Sequence, residues 1–209
     1  MIEVQEPGLR ERKKADTRRA LSDAALHLAF EVGLDNVTRE DIANRAGVSL
    51  RTFTNYFAGK YEAIAYRQLD RIRQGIALLR TRPADQPLWS AIADALLEPL
   101  EADGATESTP TRKQLVELQK LLLAPGIRAA LTNALFDEWV DAIAERTGTD
   151  PAVDMYPRLV AAVIRAVVET ATDAYATAEP PRPITTFLRQ GLAAVAAGLP
   201  EPSKRSSHV

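Results

Sequence analysis

Apolar residues recur along this chain at helical spacing and nowhere alternate with the period of a strand. Alanine, leucine, arginine and glutamate dominate wherever the pattern is periodic, which predicts an all-α fold of about nine helices. Leu21, Ala25, Leu28 and Val32 share one face of a first helix from about Arg10 to Val32, with Gly33 as its left-handed stop. Thr38, three residues before Asp41, opens a short second helix with a capping-box pattern, and Ala46-Gly47 closes it. Ser49 caps a third helix that lasts only to about Tyr56 or Phe57. After Gly59-Lys60 a helix of roughly twenty residues carries Ile64, Leu69, Ile72, Ile76 and Leu79 along one side.

Pro83 and Pro87 punctuate the chain next, and Asp85 with Pro87 reads as the cap and first turn before Leu88, Trp89, Ile92, Leu96 and Leu100. Gly104–Thr109 is a polar loop, Leu115–Leu123 is helical, and a further helix starts at Pro125 and runs to about Arg146 before Gly148. Asp154 is the expected cap of a helix reaching about Ala178, with Pro157 tolerated in its first turn. Three prolines then precede a last helix, Ile184–Leu199. No internal repeat interrupts this order.

Thr38 to Lys60, TREDIANRAGVSLRTFTNYFAGK, has the short helix, tight glycine-bearing turn and second helix of a helix-turn-helix. Val37, Ile42, Ala43, Val48, Phe53 and Phe57 can face one small core, with the two phenylalanines at i, i+4. That packing leaves Leu50, Arg51, Thr54 and Asn55 on the opposite face, where a recognition helix meets the major groove. Arg51 suits guanine O6 and N7, Asn55 suits adenine, and Leu50 can pack on a thymine methyl. Thr38, Thr52, Tyr56 and Lys60 flank this face and are the candidate phosphate contacts. Thr38 and Ser49 are helix caps first, Phe53 and Phe57 core residues, and Arg51 and Lys60 taken singly are ordinary surface cations; their coincidence carries the reading.

Charge strengthens it. The formal net charge is −2, yet residues 1–82 hold fifteen Lys/Arg against eleven Asp/Glu, net +4, leaving net −6 for the remainder. Arg10 to Arg19 concentrates six cations against two acids. A basic module joined to an acidic one suggests that the first meets a polyanion, here double-stranded operator DNA.

AGVSLRTFTNYFAGKYEAI resembles the N-terminal signature of the TetR family of regulators, including the aromatic residues around Asn55-Tyr56 and the lysine after the loop. The resemblance covers residues 10–66 in detail. Arg51 stands where many members have a small residue and Thr54 where a tyrosine is common, departures that concern which operator is read. The resemblance implies a DNA-binding domain over residues 1–60, a ligand-binding and dimerisation domain over 61–200, and a repressor released from DNA by a small-molecule effector. Residues 201–209 are expected to form a disordered tail.

LVAAVIRAVV, residues 159–168, is apolar nearly all round, so its helix must be buried on more than one side. In TetR-like proteins the last two long helices build a two-fold interface. This assigns Val160, Val163 and Val167, with Phe187, Leu188, Gly191, Leu192 and Val195 of the last helix, to a homodimer contact. Trp89, Leu118, Leu122, Phe136, Trp139, Tyr156 and Tyr175 are the large side chains able to line an effector cavity, apolar in character. Residues 112–179 also resemble the sensor domains of members that respond to acyl-CoA-like molecules.

The absence of cysteine removes disulfide scaffolds, thiolate metal sites and cysteine nucleophiles, and the two histidines fit no metal-ligand spacing, so neither cofactor nor metal is expected. No hydrolase elbow or phosphate loop supports an enzyme. Without a signal-peptide pattern or a bilayer-length apolar run, no membrane association and a cytoplasmic location are expected. The competing reading is a helical ligand-binding protein without operator-specific DNA binding.

Overall fold

The computed structural model describes residues 8–102, 111–112, 116–117, 120 and 135–201. Among these, the all-α expectation holds. The helices are α1 (Leu9–Val32), α2 (Arg39–Arg45), α3 (Leu50–Tyr56), α4 (Lys60–Thr81), α5 (Leu88–Ala102), α6 (Phe136–Thr147), α7 (Met155–Thr177) and α8 (Ile184–Ala196). The expected Leu115–Leu123 helix, the start at Pro125 and the tail after Glu201 lie wholly or largely outside the described residues.

The chain divides into two compact units, one within residues 1–73 and 110–136, the other within 74–109 and 137–209. The first unit has its core where α1, α2, α3 and the start of α4 meet: Leu21, Ala25 and Leu28 of α1 with Ile42, Phe53, Phe57 and Ile64. Arg19 pairs with Asp70 at 3.2 Å, and the Ser22 hydroxyl accepts the Arg67 N–H at 3.2 Å, tying α1 to α4. Gly33 does not take the left-handed helical conformation expected of it. α1 ends at Val32 as expected, but the Gly33 φ of +88° comes with an extended ψ of 142°, and the chain passes directly into a 3-10 turn, Leu34–Asn36. Asn36 holds that turn to α1 by donating from Nδ2 to the Val32 carbonyl at 2.7 Å.

In the second unit α8 packs on both α7 and α5. Leu97, Leu100, Ala171, Phe187 and Leu188 form one cluster, with Tyr175, Val168 and Ile184 packed against it. Arg146 of α6 reaches the loop between α4 and α5, donating to the carbonyls of Arg82, Pro83 and Gln86 at 3.1, 2.7 and 2.8 Å. Local boundaries differ from expectation in three places. α5 begins at Leu88, so Pro87 precedes the helix and only its carbonyl takes part, accepting from Ala91 N–H. Asp154 stands at the start of α7, but its carboxylate accepts from the Asp150 N–H instead of capping the helix. α8 ends at Ala196, because Gly198 and Leu199 both turn to positive φ.

The residues assigned to a dimer contact differ in how far the chain itself buries them. Val160, Val167, Phe187, Leu188 and Leu192 are buried within the chain itself. Gly191 does permit a close helix approach, but to α7 of the same chain: a Cβ there would stand 2.8 Å from Val167 Cγ1. Val163 and Val195 are half-buried. α7 has two faces roughly 90° apart. Val160, Ile164, Val167 and Ala171 turn inward, while Tyr156, Leu159, Ala166 and Thr170 are exposed on the other.

Candidate nucleic-acid interface

The turn between α2 and α3 is made by Gly47 at φ +69°, a conformation that side chains other than glycine adopt at a cost. Val48 N–H donates to Ala43 O at 3.0 Å and Gly47 N–H to Asn44 O at 3.1 Å, the paired bonds of a Schellman close. At the start of α2 the capping box is complete: the Asp41 N–H donates to Thr38 Oγ1 at 3.1 Å, and the Thr38 N–H donates back to Asp41 Oδ2 at 3.2 Å. The Thr38 hydroxyl bond, followed by the backbone bond, holds the Asp41 carboxyl below its ordinary range. Ser49 Oγ accepts the Thr52 N–H at 3.1 Å and also meets Thr52 Oγ1 at 2.9 Å, so both short helices start from a filled cap.

These anchors fix which side of α3 faces outward. Phe53 and Phe57 are buried with ring centroids 6.0 Å apart, and Tyr66 sets its edge against Phe57 at 5.6 Å. Leu50, Arg51, Thr54 and Asn55 are exposed on the opposite side, and Arg51 carries its cation outward from the first turn. The Thr54 hydroxyl donates to the Arg51 carbonyl at 3.0 Å, which leaves its oxygen lone pairs outward-facing acceptors. A helix-turn-helix with a cationic, hydrogen-bonding outer face and a phenylalanine-locked inner face can enter a major groove.

Known proteins share this arrangement. Residues 21–64 match the family described as bacterial regulatory proteins, tetR family, and residues 86–200 match the MftR C-terminal domain, which is itself assigned to TetR proteins. The chain belongs to the TetR family of bacterial transcriptional regulators. It is 32% identical over 167 residues to the HTH-type transcriptional regulator TcmR of Streptomyces glaucescens, covering 77% of this chain and 74% of TcmR. Among solved structures, Thermus thermophilus FadR in complex with lauroyl-CoA matches at 20% identity and a TM-score of 0.53, covering 92% of this chain and all of that one. SmeT of Stenotrophomonas maltophilia, in complex with triclosan, matches at 18% identity and a TM-score of 0.55, covering 91% of this chain and all of that one. The two structural likenesses concern the fold.

Within this TetR headpiece the four phosphate candidates differ in what they are already doing. Thr38 and Thr52 engage in cap bonds at helix starts, where free N–H groups also point outward. Tyr56 is half-buried, and the Arg18 guanidinium lies 5.8 Å from its ring and 5.8 Å from that of Tyr66. Arg18, which the sequence showed only as one of six clustered cations, therefore braces the end of the recognition helix by cation–π contact. Lys60 is placed differently from its expected role. Its ammonium donates to the carbonyls of Leu34 at 2.9 Å, Val37 at 3.1 Å and Asp35 at 3.4 Å, which commits it to the protein's own backbone. Lys60 still borders a shallow depression of about 380 Å³ lined by Val37, Thr38, Arg39, Glu40, Ala58, Gly59 and Tyr61, where Arg39 supplies an exposed cation.

The effector candidates differ in burial. Trp139 is buried, Trp89 and Tyr175 are half-buried, and Tyr156 is exposed, all in the second unit. Tyr175 packs against the Leu97–Leu100–Phe187 cluster, and this burial raises its phenol pKa. Phe136 is half-buried in the first unit, and Leu118 and Leu122 lie outside the described residues. Among the described residues, no helix is long and apolar enough to cross a membrane.

Proposed function

We propose that this TetR-family protein is a cytoplasmic repressor that binds a palindromic operator as a two-fold homodimer and releases it when a small apolar or acyl-type effector occupies the C-terminal domain. The observation that carries the DNA half is the exposed Leu50–Arg51–Thr54–Asn55 face, held outward by the buried Phe53–Phe57 pair. Arg51 and Asn55 read base edges, while Thr38, Thr52, Tyr56 and Arg39 contact the flanking phosphates. Lys60 acts one step back, by fixing the turn that precedes α2.

The dimer reading now rests on the outer face of α7. Leu159 is 51% exposed and shares its face with half-buried Val163 and with exposed Ala166 and Thr170, a mostly apolar stripe about three turns long. Small residues on the outer side of α8, Ala193, Ala194 and Ala197, extend the opportunity for close helix approach. The effector class is supported by the apolar lining candidates Trp89, Trp139 and Tyr175, and by the lauroyl-CoA and triclosan bound by structurally similar regulators.

Selection of bound sequences from a random duplex pool tests the reading directly. An inverted repeat whose half-sites lie about 34–36 Å apart is the expected product. Recovery of no enriched sequence at low salt, or of a single unrepeated site, overturns it.

A further inference from the structure

The turn from which α2 starts is held from two sides. Lys60 takes its carbonyls, as described above. Its first N–H, on Leu34, donates to Glu117 Oε2 at 3.0 Å. Glu117 is only 7% exposed, and its other oxygen accepts from Lys120 Nζ at 2.8 Å. Glu117 thus supplies an acceptor to a buried backbone donor, and Lys120 keeps its carboxylate from being an isolated buried charge.

By sequence, Glu117 belongs to the stretch matched by the C-terminal domain, residues 86–200, yet it folds in the same compact unit as the helix-turn-helix. The path from it to the DNA face is short and made of bonds already described. Leu34 N–H is fixed by Glu117; the Leu34 and Val37 carbonyls are fixed by Lys60, the first residue of α4; and Val37 leads directly into the Thr38 cap of α2. Withdrawal of the carboxylate leaves a buried N–H without its partner and frees the start of α2 to shift.

We propose that Glu117 is a positioning residue for DNA binding: seated on Leu34 it holds the headpiece in the arrangement that operator DNA selects. This rests on the regulator reading above. By linkage, any ligand that binds better with Glu117 withdrawn weakens operator binding by the same factor as operator weakens it.

The test uses the full chain and the duplex recovered by selection. If the wild-type protein binds no duplex, the regulator reading itself fails. If it binds, amide exchange is measured at Leu34 and, as a gauge of general stabilisation, at Ile42, with and without saturating duplex. The expected result is that duplex slows Leu34 at least tenfold more than it slows Ile42. Glu117→Ala is expected to weaken duplex binding tenfold or more, while Glu117→Gln, whose amide oxygen still accepts from Leu34, stays within threefold of wild type. Equal slowing of the two amides in the wild-type protein overturns the proposal, as does Glu117→Ala binding the duplex like wild type. Should Glu117→Ala fail to fold, the wild-type exchange comparison decides alone.

Discussion

Lys60 Nζ lies 2.9 Å from the carbonyl oxygen of Leu34, twenty-six residues earlier in the chain, and so joins the start of α4 to the turn that precedes α2. Charge-assisted bonds to half-buried carbonyls contribute about 1.5–3 kcal/mol when they replace water. Lys60→Ala should therefore lower the unfolding free energy by about 1–3 kcal/mol in a urea titration. It should also weaken all duplexes alike. A phosphate contact adds about 0.9 to the slope of log K against log salt, so about 1.8 for the two subunits of a dimer; with Lys60 on the protein's own backbone, the variant's slope should equal that of wild type. A slope reduced by that amount would return Lys60 to the phosphate backbone.

Arg51 occupies the first turn of α3 with its side chain exposed, the position from which a guanidinium reaches guanine O6 and N7. Arg51→Ala should cost about 1–3 kcal/mol in each half-site of the selected operator and relax the preference at one base pair there. Repeating the duplex selection with the variant checks this. An unchanged consensus would remove Arg51 from the base-reading set.

The features legible in the sequence were those whose cause is local. Thr38 with Asp41, Ser49 with Thr52, and Gly47 at the turn each announce themselves within four residues, and the helix-turn-helix follows from them. The apolar run of α7 predicts burial on more than one side; the chain itself buries one face, and which face meets its own α8 is decided by packing that no spacing reveals. Val160 and Val167, assigned to a dimer contact, turn toward the chain's own core. Lys60 and Glu117 lay beyond sequence reasoning for the same cause. A cation or carboxylate has no periodicity, and the carbonyls and N–H that hold these two belong to a turn about 25 and 83 residues away.

Gly75 lies where α4 crosses α5, and a Cβ there would stand 2.6 Å from the Ala95 carbonyl oxygen. Backbone cannot rotate aside as a side chain can, so the two helices must separate. Gly75→Ala should destabilise the protein by about 1–3 kcal/mol despite the gain of up to about 1 kcal/mol that alanine brings to a helix interior. Gly191→Ala meets only a Val167 methyl at 2.8 Å and should cost less. Melting curves of the two variants, side by side, check the order.

Asp41 should make the headpiece sensitive to acid. Its carboxyl is held below the ordinary 3.8, first by the Thr38 hydroxyl and then by the Thr38 N–H. A carboxyl with a depressed folded pKa contributes stability that is present above its unfolded value, near about 4, and is lost as the pH falls through the folded value. Glu31, lowered chiefly by its hydrogen bond from Arg45, adds to the same slope. In thermal melts from neutral to acid pH, Asp41→Asn should show a shallower fall below about pH 4 than wild type. Identical slopes would mean that the charge on Asp41 is immaterial to the cap.

The outer stripe of α7 predicts how the oligomeric state can be broken. Two-fold symmetry places each residue of such a face in the interface twice, so one substitution introduces two charges near the axis. A carboxylate moved from water into an apolar contact without a partner costs several kcal/mol. Leu159→Glu, on an exposed apolar position that is not needed for the chain's own core, should raise the dimer dissociation constant by at least about a hundredfold, each tenfold step being about 1.4 kcal/mol. Val153→Glu serves as the control, because Val153 is 80% exposed in the loop before α7 and lies outside the stripe. Sedimentation across a concentration series distinguishes the two. A Leu159→Glu protein that sediments as wild type would show that the subunits meet elsewhere, whereas a folded monomer with weakened affinity for the two-site operator would join the α7 face to DNA recognition through the paired half-sites.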